Sequence, residues 1–218
     1  MHLIGMAGSL THDIAQGPPP PPVDRGWGGD DSNPEGRGSS RRASFLGLFV
    51  LLAATTMVFA AFTSAFVVRR GMSNDWGTMP KPSILFVNTA LLVVSSIVLD
   101  FSRRALKNRN RSRFNLWWTV ATALGILFLV GQGVAWQELR DAGIYVASNP
   151  SSSFFYVLTA AHAVHLLGGV GALVWVDFEA LRLRLGPAKR TAIDITAIFW
   201  HFLVGVWIFL MILFYVWG

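Results

Sequence analysis

The sequence predicts an all-α integral membrane protein, a bundle of five transmembrane helices. Of its 218 residues, 53% are hydrophobic and only 14% are charged, which is too little charge for the surface of a soluble domain of this length. The apolar residues lie in five long uncharged runs. Each run is able to cross a hydrocarbon core of about 30 Å as a helix of about 20 residues. Helices are expected because backbone groups in lipid must find their partners within the segment.

Charged, proline and aromatic residues place the ends of these runs. Arg69 and Arg70 close the first run, Pro82 precedes the second, and Trp136 closes the third as an interfacial anchor. The spans are therefore predicted at about 45–68, 83–102, 116–137, 154–177 and 195–217.

A polar tail is expected before the membrane domain. Residues 1–43 include the run Pro18–Pro22 and a stretch rich in Gly, Asp and Ser. Such composition favours an extended, solvated and disordered chain, and it holds no apolar core long enough for a signal peptide. Residues 44–218 are predicted to form the five-helix domain.

The distribution of basic residues predicts the orientation. With the N-terminus in the cytoplasm, 14 of the 18 Lys and Arg residues fall on the cytoplasmic side. The four on the other side are Arg69, Arg70, Lys81 and Arg140. The positive-inside tendency favours this arrangement, and five crossings then place the C-terminus outside. Anionic lipid accounts for the basic loops, so no nucleic-acid partner is expected.

Three histidines lie within the two most apolar C-terminal runs. An ionisable group at mid-membrane costs about 2.5–3.5 kcal/mol or more, so His162, His165 and His201 are candidate functional residues. One interpretation is neutral imidazoles hydrogen-bonded across helices, beside Gly168 and Gly169, which allow close helix approach. The alternatives are a single-haem b-type anchor ligated by His165 and His201, or a copper or zinc site.

Carboxylates are predicted to avoid the membrane interior. The carboxylates next to or between the predicted helices fall at helix ends or in loops, and those singled out here are Asp100, Glu138, Asp141, Asp177, Glu179 and Asp194. A pump or ion-coupled transporter usually buries at least one such group on its pathway. A self-contained transporter is therefore not expected. The absence of cysteine also excludes thiolate-held clusters.

Three segments carry a family resemblance. They are Gly131–Leu139, Ser153–His165 followed by Gly168 and Gly169, and Phe199–Trp207 with the terminal Tyr215–Gly218. Together they resemble subunit III of the haem–copper oxidases, in its short bacterial five-helix form. The resemblance covers about residues 44–218.

The resemblance implies a non-catalytic subunit of an aerobic terminal oxidase, cytochrome c oxidase, in a bacterial plasma membrane. It implies that subunit I holds haem and copper, that subunit II holds copper, and that this chain binds neither metal nor haem. The chain is expected to pack against subunits I and II, to hold phospholipids and to support proton uptake. Electrons from cytochrome c or quinol then enter through other subunits.

The resemblance implies structural roles for the site residues and implies no catalytic residue. The implied helix-packing set is His162, His165, Gly168, Gly169, Trp200, His201, Gln132 and Glu138. The implied lipid contacts are Arg182, Arg184 and Trp136. A quinol oxidase subunit III and a homologue associated with nitric oxide reductase remain alternatives.

The sequence departs from the family pattern at three places. Thr55 stands where many members carry a buried Glu, and the usual Asp after the Trp-His-Phe motif is missing around Leu203–Gly205. The first two helices of the seven-helix form are also absent. Roles that the family gives to those two carboxylates do not transfer to this chain.

Overall fold

Five long helices make up the structure. The computed structural model describes residues 34–72, 83–182 and 187–217. The helices are α1 (Pro34–Met72), α2 (Ile84–Lys107), α3 (Arg111–Asp141), α4 (Pro150–Leu181) and α5 (Pro187–Trp217). Each is long and apolar enough to cross a membrane, and no strand occurs within the described ranges. The predicted five-helix membrane fold is confirmed.

Asparagine caps start two of the helices. The side chain of Asn110 accepts a hydrogen bond from the backbone N–H of Arg113 at the start of α3. At the start of α4, Asn149 and Ser152 form a reciprocal capping box, and Pro150 occupies the first helical position. These groups satisfy backbone donors that a helix N-terminus leaves free.

Short connections make α3 an antiparallel neighbour of α2 and α4 an antiparallel neighbour of α3. The turn between α2 and α3 places Arg109 in the left-handed region, with φ of 57°. Gly143, after α3, also has a positive φ, of 76°, and glycine adopts this conformation without steric cost. Both turns send the chain directly back along the preceding helix.

Helices α2 to α5 form a four-helix ring, and α1 lies outside it. α2 packs on α3, α3 on α4 and α4 on α5, and α5 closes the ring against α2. Among the described residues, α1 contacts α4 and α5 and neither of the other two helices. α1 is therefore a peripheral helix held by one side of the ring.

A seam of buried residues at three- and four-residue spacing runs along α3 and α4. On α3 it comprises Phe114, Trp118, Ala121, Gly125, Phe128, Gln132, Ala135 and Leu139. On α4 it comprises Phe155, Thr159, His162, Leu166, Gly169, Leu173, Val176 and Ala180. This spacing is typical of knobs-into-holes packing between helices that cross at a shallow angle.

The helices extend beyond the predicted membrane spans. α1 begins at Pro34, inside the segment read as a disordered tail, and residues 1–33 lie outside the described residues. α5 begins at Pro187, so Asp194 and His201 lie within a helix and not at its start. Hydropathy marks where the membrane begins but not where a helix ends, so these two helices continue into polar sequence.

Candidate functional site

His162 lies in a box of aromatic rings. Its imidazole is fully buried and stacks on Trp207 of α5, with ring centroids 5.0 Å apart. Phe59 of α1 and Phe128 of α3 meet it edge-on, at 6.3 and 6.2 Å. Neither ring nitrogen has a hydrogen-bond partner within the described chain. His162 therefore acts here as an aromatic packing residue at the meeting point of four helices.

His165 faces α1. Its Nδ1 lies 2.7 Å from the carbonyl oxygen of Ala161, in the preceding turn of α4. The ring packs against Phe59 at a centroid distance of 5.6 Å. His165 thus satisfies one nitrogen within its own helix and uses its ring to hold the peripheral helix.

Trp200 fills a slot between two glycines. The indole is fully buried. A Cβ added at Gly125 would lie 2.6 Å from Cη2 of this indole, and one added at Gly169 would lie 3.2 Å from Cε3. Glycine at both positions allows α3 and α4 to close on the ring of α5. The structure therefore brings together Trp200 and Gly169, two of the predicted packing residues.

Polar contacts join α2 and α5 along their length. The indole N–H of Trp207 donates to Oγ1 of Thr89, at 3.0 Å. Further along α2, toward its C-terminal end, Oγ of Ser96 lies 2.5 Å from Nδ1 of His201. Near the C-terminal end of α2, Nη2 of Arg103 lies 3.1 Å from Oδ1 of Asp194, and the two residues form an ion pair. We refer to these contacts, with Asp100, as the α2–α5 ladder.

The ladder gives His201 a carboxylate neighbour. Oδ1 of Asp100 lies 3.3 Å from Nε2 of His201 and 3.6 Å from the guanidinium of Arg103. Asp100 was predicted to lie at a helix end, but α2 continues to Lys107. Asp100 therefore lies within α2 and alongside α5, which gives His201 a carboxylate neighbour that the sequence did not reveal.

The other predicted packing residues differ in their burial. Gln132 is buried, and neither atom of its amide group has a partner in the part of the chain that the structure describes. Glu138 is exposed. Gly168 is also exposed, with no described atom within 4 Å of its Cβ position. Gly168 and Glu138 lie on outward faces and therefore do not pack between two helices of the described chain.

The three residues predicted to contact lipid differ in their surroundings. Trp136 is half-buried and donates its indole N–H to Oγ1 of Thr159, at 3.2 Å, so it links α3 to α4. Arg182 is exposed, and its guanidinium lies 3.9 Å from the centroid of the Phe178 ring. Arg184 lies outside the described residues.

The histidines do not converge on a common ligand. His165 faces α1 and His201 faces α2, so this pair does not offer two axial ligands to one haem. His162 has rings on three sides, which leaves no face for a porphyrin. No group of three or more His, Cys, Asp or Glu side chains is placed to hold a metal ion among the described residues.

Buried polar residues of α2 were missed at the sequence level. Asn88, Ser95 and Ser102 are spaced seven apart and are at most 1% exposed. Ser95 and Ser102 donate to the carbonyl oxygens of Ala121 and Phe114 on α3, both at 2.9 Å. Their seven-residue spacing is a signal that a search for heptads would have found.

Comparison with known proteins identifies the family. The sequence profile described as cytochrome c oxidase subunit III matches residues 45–218. The chain is 29% identical over 175 residues to cytochrome c oxidase subunit 3 of Thermostichus vulcanus, covering 78% of this chain and 86% of the relative. It is 30% identical over 177 residues to the Corynebacterium diphtheriae protein of the same name, with the same two coverages. The chain therefore belongs to the cytochrome c oxidase subunit III family and is a multi-pass membrane subunit of a haem–copper oxidase.

Proposed function

We propose that this chain is the non-catalytic third subunit of an aerobic cytochrome c oxidase in a bacterial plasma membrane. In this role it packs against subunit I, which holds haem and copper, and lies beside subunit II, which holds copper and receives electrons from cytochrome c. It retains phospholipid and supports proton uptake by the complex. The names and bacterial sources of the relatives support this assignment.

One observation carries the structural role. Polar groups of the α2–α5 ladder join two helices of the bundle to each other, and the slot of Trp200 lets three of them pack closely. Interhelical hydrogen bonds and close packing are the forces that hold helices together in lipid. The chain is thereby suited to give a catalytic subunit a well-packed helical neighbour.

The outer surface supports a role within a complex and in contact with lipid. Phe49 and Met57 of α1 are 61% and 71% exposed, and Val164 of α4 is 67% exposed. Such side chains are stable against acyl chains or against another subunit. Gly168 lies on the same outward face of α4 as Val164, one turn on, and is proposed as a packing position for a partner subunit.

Native mass spectrometry of the full chain tests the assignment. The tagged chain is extracted from its own membranes in mild detergent. We expect a complex that contains a large haem- and copper-bearing subunit and retains phospholipid. A lone chain that carries its own haem would contradict both the non-catalytic role and the packing role of the histidines.

His201→Ala tests the packing role at one residue. Loss of the imidazole removes the contacts with Ser96 and Asp100 across α2 and α5, so we expect lower recovery of the assembled complex. The haem spectrum of the complex that survives is expected to be unchanged. His165→Ala serves as a comparison, because His165 bonds within its own helix. Loss of a haem band from a fully assembled His201→Ala complex would show that His201 acts on a cofactor.

A further inference from the structure

Helix α2 carries a pair of adjacent polar residues at every seventh position. The three pairs are Asn88–Thr89, Ser95–Ser96 and Ser102–Arg103. Seven residues are close to two turns of an α-helix, so equivalent members of the pairs lie on one line along α2. We refer to the line of first members, Asn88, Ser95 and Ser102, as the α2–α3 stripe.

The second members of the pairs all have partners on α5. Thr89, Ser96 and Arg103 are residues of the α2–α5 ladder. In order along α2, their partners on α5 are Trp207, His201 and Asp194. The partners therefore follow one another at six- or seven-residue steps in the opposite direction. An equally regular set of partners on α3 is expected for the first members.

Two residues of the α2–α3 stripe have such partners. Ser102 donates to the carbonyl oxygen of Phe114, and Ser95 donates to that of Ala121, both at 2.9 Å. A step of seven residues toward the start of α2 thus corresponds to a step of seven residues toward the end of α3. This register is typical of antiparallel helices that cross at a shallow angle.

The next step in this register leads from Asn88 to the backbone of Phe128. Asn88 is 1% exposed, and its amide lies against Gly131, three positions after Phe128. A Cβ added at Gly131 would lie 2.9 Å from Cγ of Asn88 and 3.0 Å from its Nδ2. In an α-helix each carbonyl points toward the residue four positions on, so the carbonyl of Phe128 opens beside Gly131. The missing side chain of Gly131 leaves Asn88 room to reach it.

The amide of Asn88 has the donor that this contact requires. Its Nδ2 has no partner among the described residues, and a buried amide that stays unpaired is destabilising. Oδ1 is the amide atom nearest to the Cβ position of Gly131. A half-turn about the Cβ–Cγ bond exchanges Oδ1 with Nδ2 and leaves the shape of the amide unchanged. The N–H group then faces α3 without any change in the packing of the helices.

We propose that Asn88 donates a hydrogen bond to the carbonyl oxygen of Phe128 and completes a line of three donors that joins α2 to α3. The ring of Phe128 is one wall of the aromatic box of His162, and Trp207, bonded to Thr89, is another. These two rings lie 4.9 Å apart. Asn88 and Thr89 thus position two walls of the box from one turn of α2. This role goes beyond the function proposed above, since it rests on contacts within the chain alone.

The test compares two variants at position 88 that differ by one hydroxyl group. Asn88→Ser supplies the donor group that Ser95 and Ser102 use, whereas Asn88→Ala supplies none. In the complex as it is purified from its own membranes, we expect the thermal midpoint of Asn88→Ser to exceed that of Asn88→Ala by about 2 °C or more. Equal midpoints would overturn the proposal, because the hydroxyl would then find no acceptor on α3.

Asn115 provides the matched control. It is an asparagine of α3 outside the stripe, and its Oδ1 has no partner within the described ranges. Asn115→Ser and Asn115→Ala are expected to have thermal midpoints within about 1 °C of each other. A difference as large as that at position 88 would overturn the proposal, since serine would then stabilise the bundle regardless of the register.

Asn88→Leu gives a second test with opposite signs for the two interpretations. Leucine approximates the shape of asparagine and has no donor, so we expect its midpoint to fall by about 2 °C or more, as for Ser95→Ala. A midpoint at or above that of the unchanged protein would overturn the proposal, because an apolar replacement of an unpaired amide is neutral or stabilising.

The yield of assembled complex decides the matter if Asn88→Ala or Asn88→Leu is too unstable to melt. We then expect Asn88→Ser to give about threefold more complex than Asn88→Ala from equal amounts of membrane. Equal yields of the serine and alanine variants would overturn the proposal.

Discussion

Buried polar side chains in this bundle fall into two chemically distinct groups. Ser95 and Ser102 donate to backbone carbonyls of the neighbouring helix and so join α2 to α3. Thr55 and His162 are buried and have polar atoms with no partner in the described chain, and His162 lies among aromatic rings. Substitutions in the two groups are expected to differ, because only the first group loses a hydrogen bond.

His162→Phe and His162→Ala separate ring packing from hydrogen bonding. We expect His162→Phe to be tolerated, because a phenyl ring keeps the contacts with Phe59, Phe128 and Trp207. His162→Ala should cost about 2 kcal/mol or more through the cavity left in the aromatic box. The thermal midpoint and recovery of the purified complex report the difference. Equal damage from both variants would reveal a required nitrogen.

Thr55→Glu tests the environment at the position where the family resemblance implies a carboxylate. Thr55 is 2% exposed, and its hydroxyl has no partner among the described residues. We expect Thr55→Glu to reduce the amount of assembled complex, since an unpaired carboxyl in the membrane costs at least about 2.5 kcal/mol. Thr55→Val is the control and should be nearly neutral. Full assembly of Thr55→Glu would indicate a polar partner from another subunit.

At the scale of helices, small residues and polar contacts decide which faces meet. Gly125 and Gly169 admit the indole of Trp200 between α3 and α4, while the α2–α5 ladder closes the ring on its other side. The surrounding lipid is as apolar as the helices, so burial alone does not select a face. Steric fit and hydrogen bonds make that selection.

Gly125→Ala tests the slot of Trp200. The added Cβ would lie 2.6 Å from Cη2 of the indole, so α3 or Trp200 must shift, and we expect a loss of about 1–3 kcal/mol. Gly133→Ala on the same helix is the matched control, because no described atom lies within 4 Å of its Cβ position. The thermal midpoints of the two purified complexes provide the comparison. Equal midpoints would contradict the tight packing described here.

At the scale of the whole molecule, α1 stands apart from the ring. It packs on α4 and α5 alone among the described helices, and only 17% of its most apolar window is buried. The four ring helices are each buried over 33–50% of the corresponding window. α1 therefore depends most on lipid or partner subunits for its surroundings.

Reporter fusions test the predicted orientation. Five crossings place the two termini on opposite sides of the membrane, and the distribution of Lys and Arg places the N-terminus in the cytoplasm. A green fluorescent protein fused to the N-terminus should fluoresce, and alkaline phosphatase fused to the C-terminus should be active outside the cytoplasm. The reverse fusions are the controls and should be inactive. Activity of only the reverse pair would contradict the orientation.

The amino-acid sequence was sufficient to predict the number of helices and the family. Hydropathy is a property of each segment, and lipid leaves an apolar segment few alternatives to a helix. The segments around His162 and His201 were sufficient for the family resemblance, which the comparisons confirm. The full helix lengths were not predicted, because helices continue past the membrane into polar sequence.

Which polar groups meet could not be predicted without the arrangement of the helices in space. Ser96 and His201 are 105 positions apart in the chain, and Gly168 and Gly169 are adjacent yet lie on an open face and a packed face. Such pairings depend on the rotation of each helix about its axis and on the depth of one helix against the next. Interhelical contacts set both quantities, so the site of His201 emerges only when the helices are assembled.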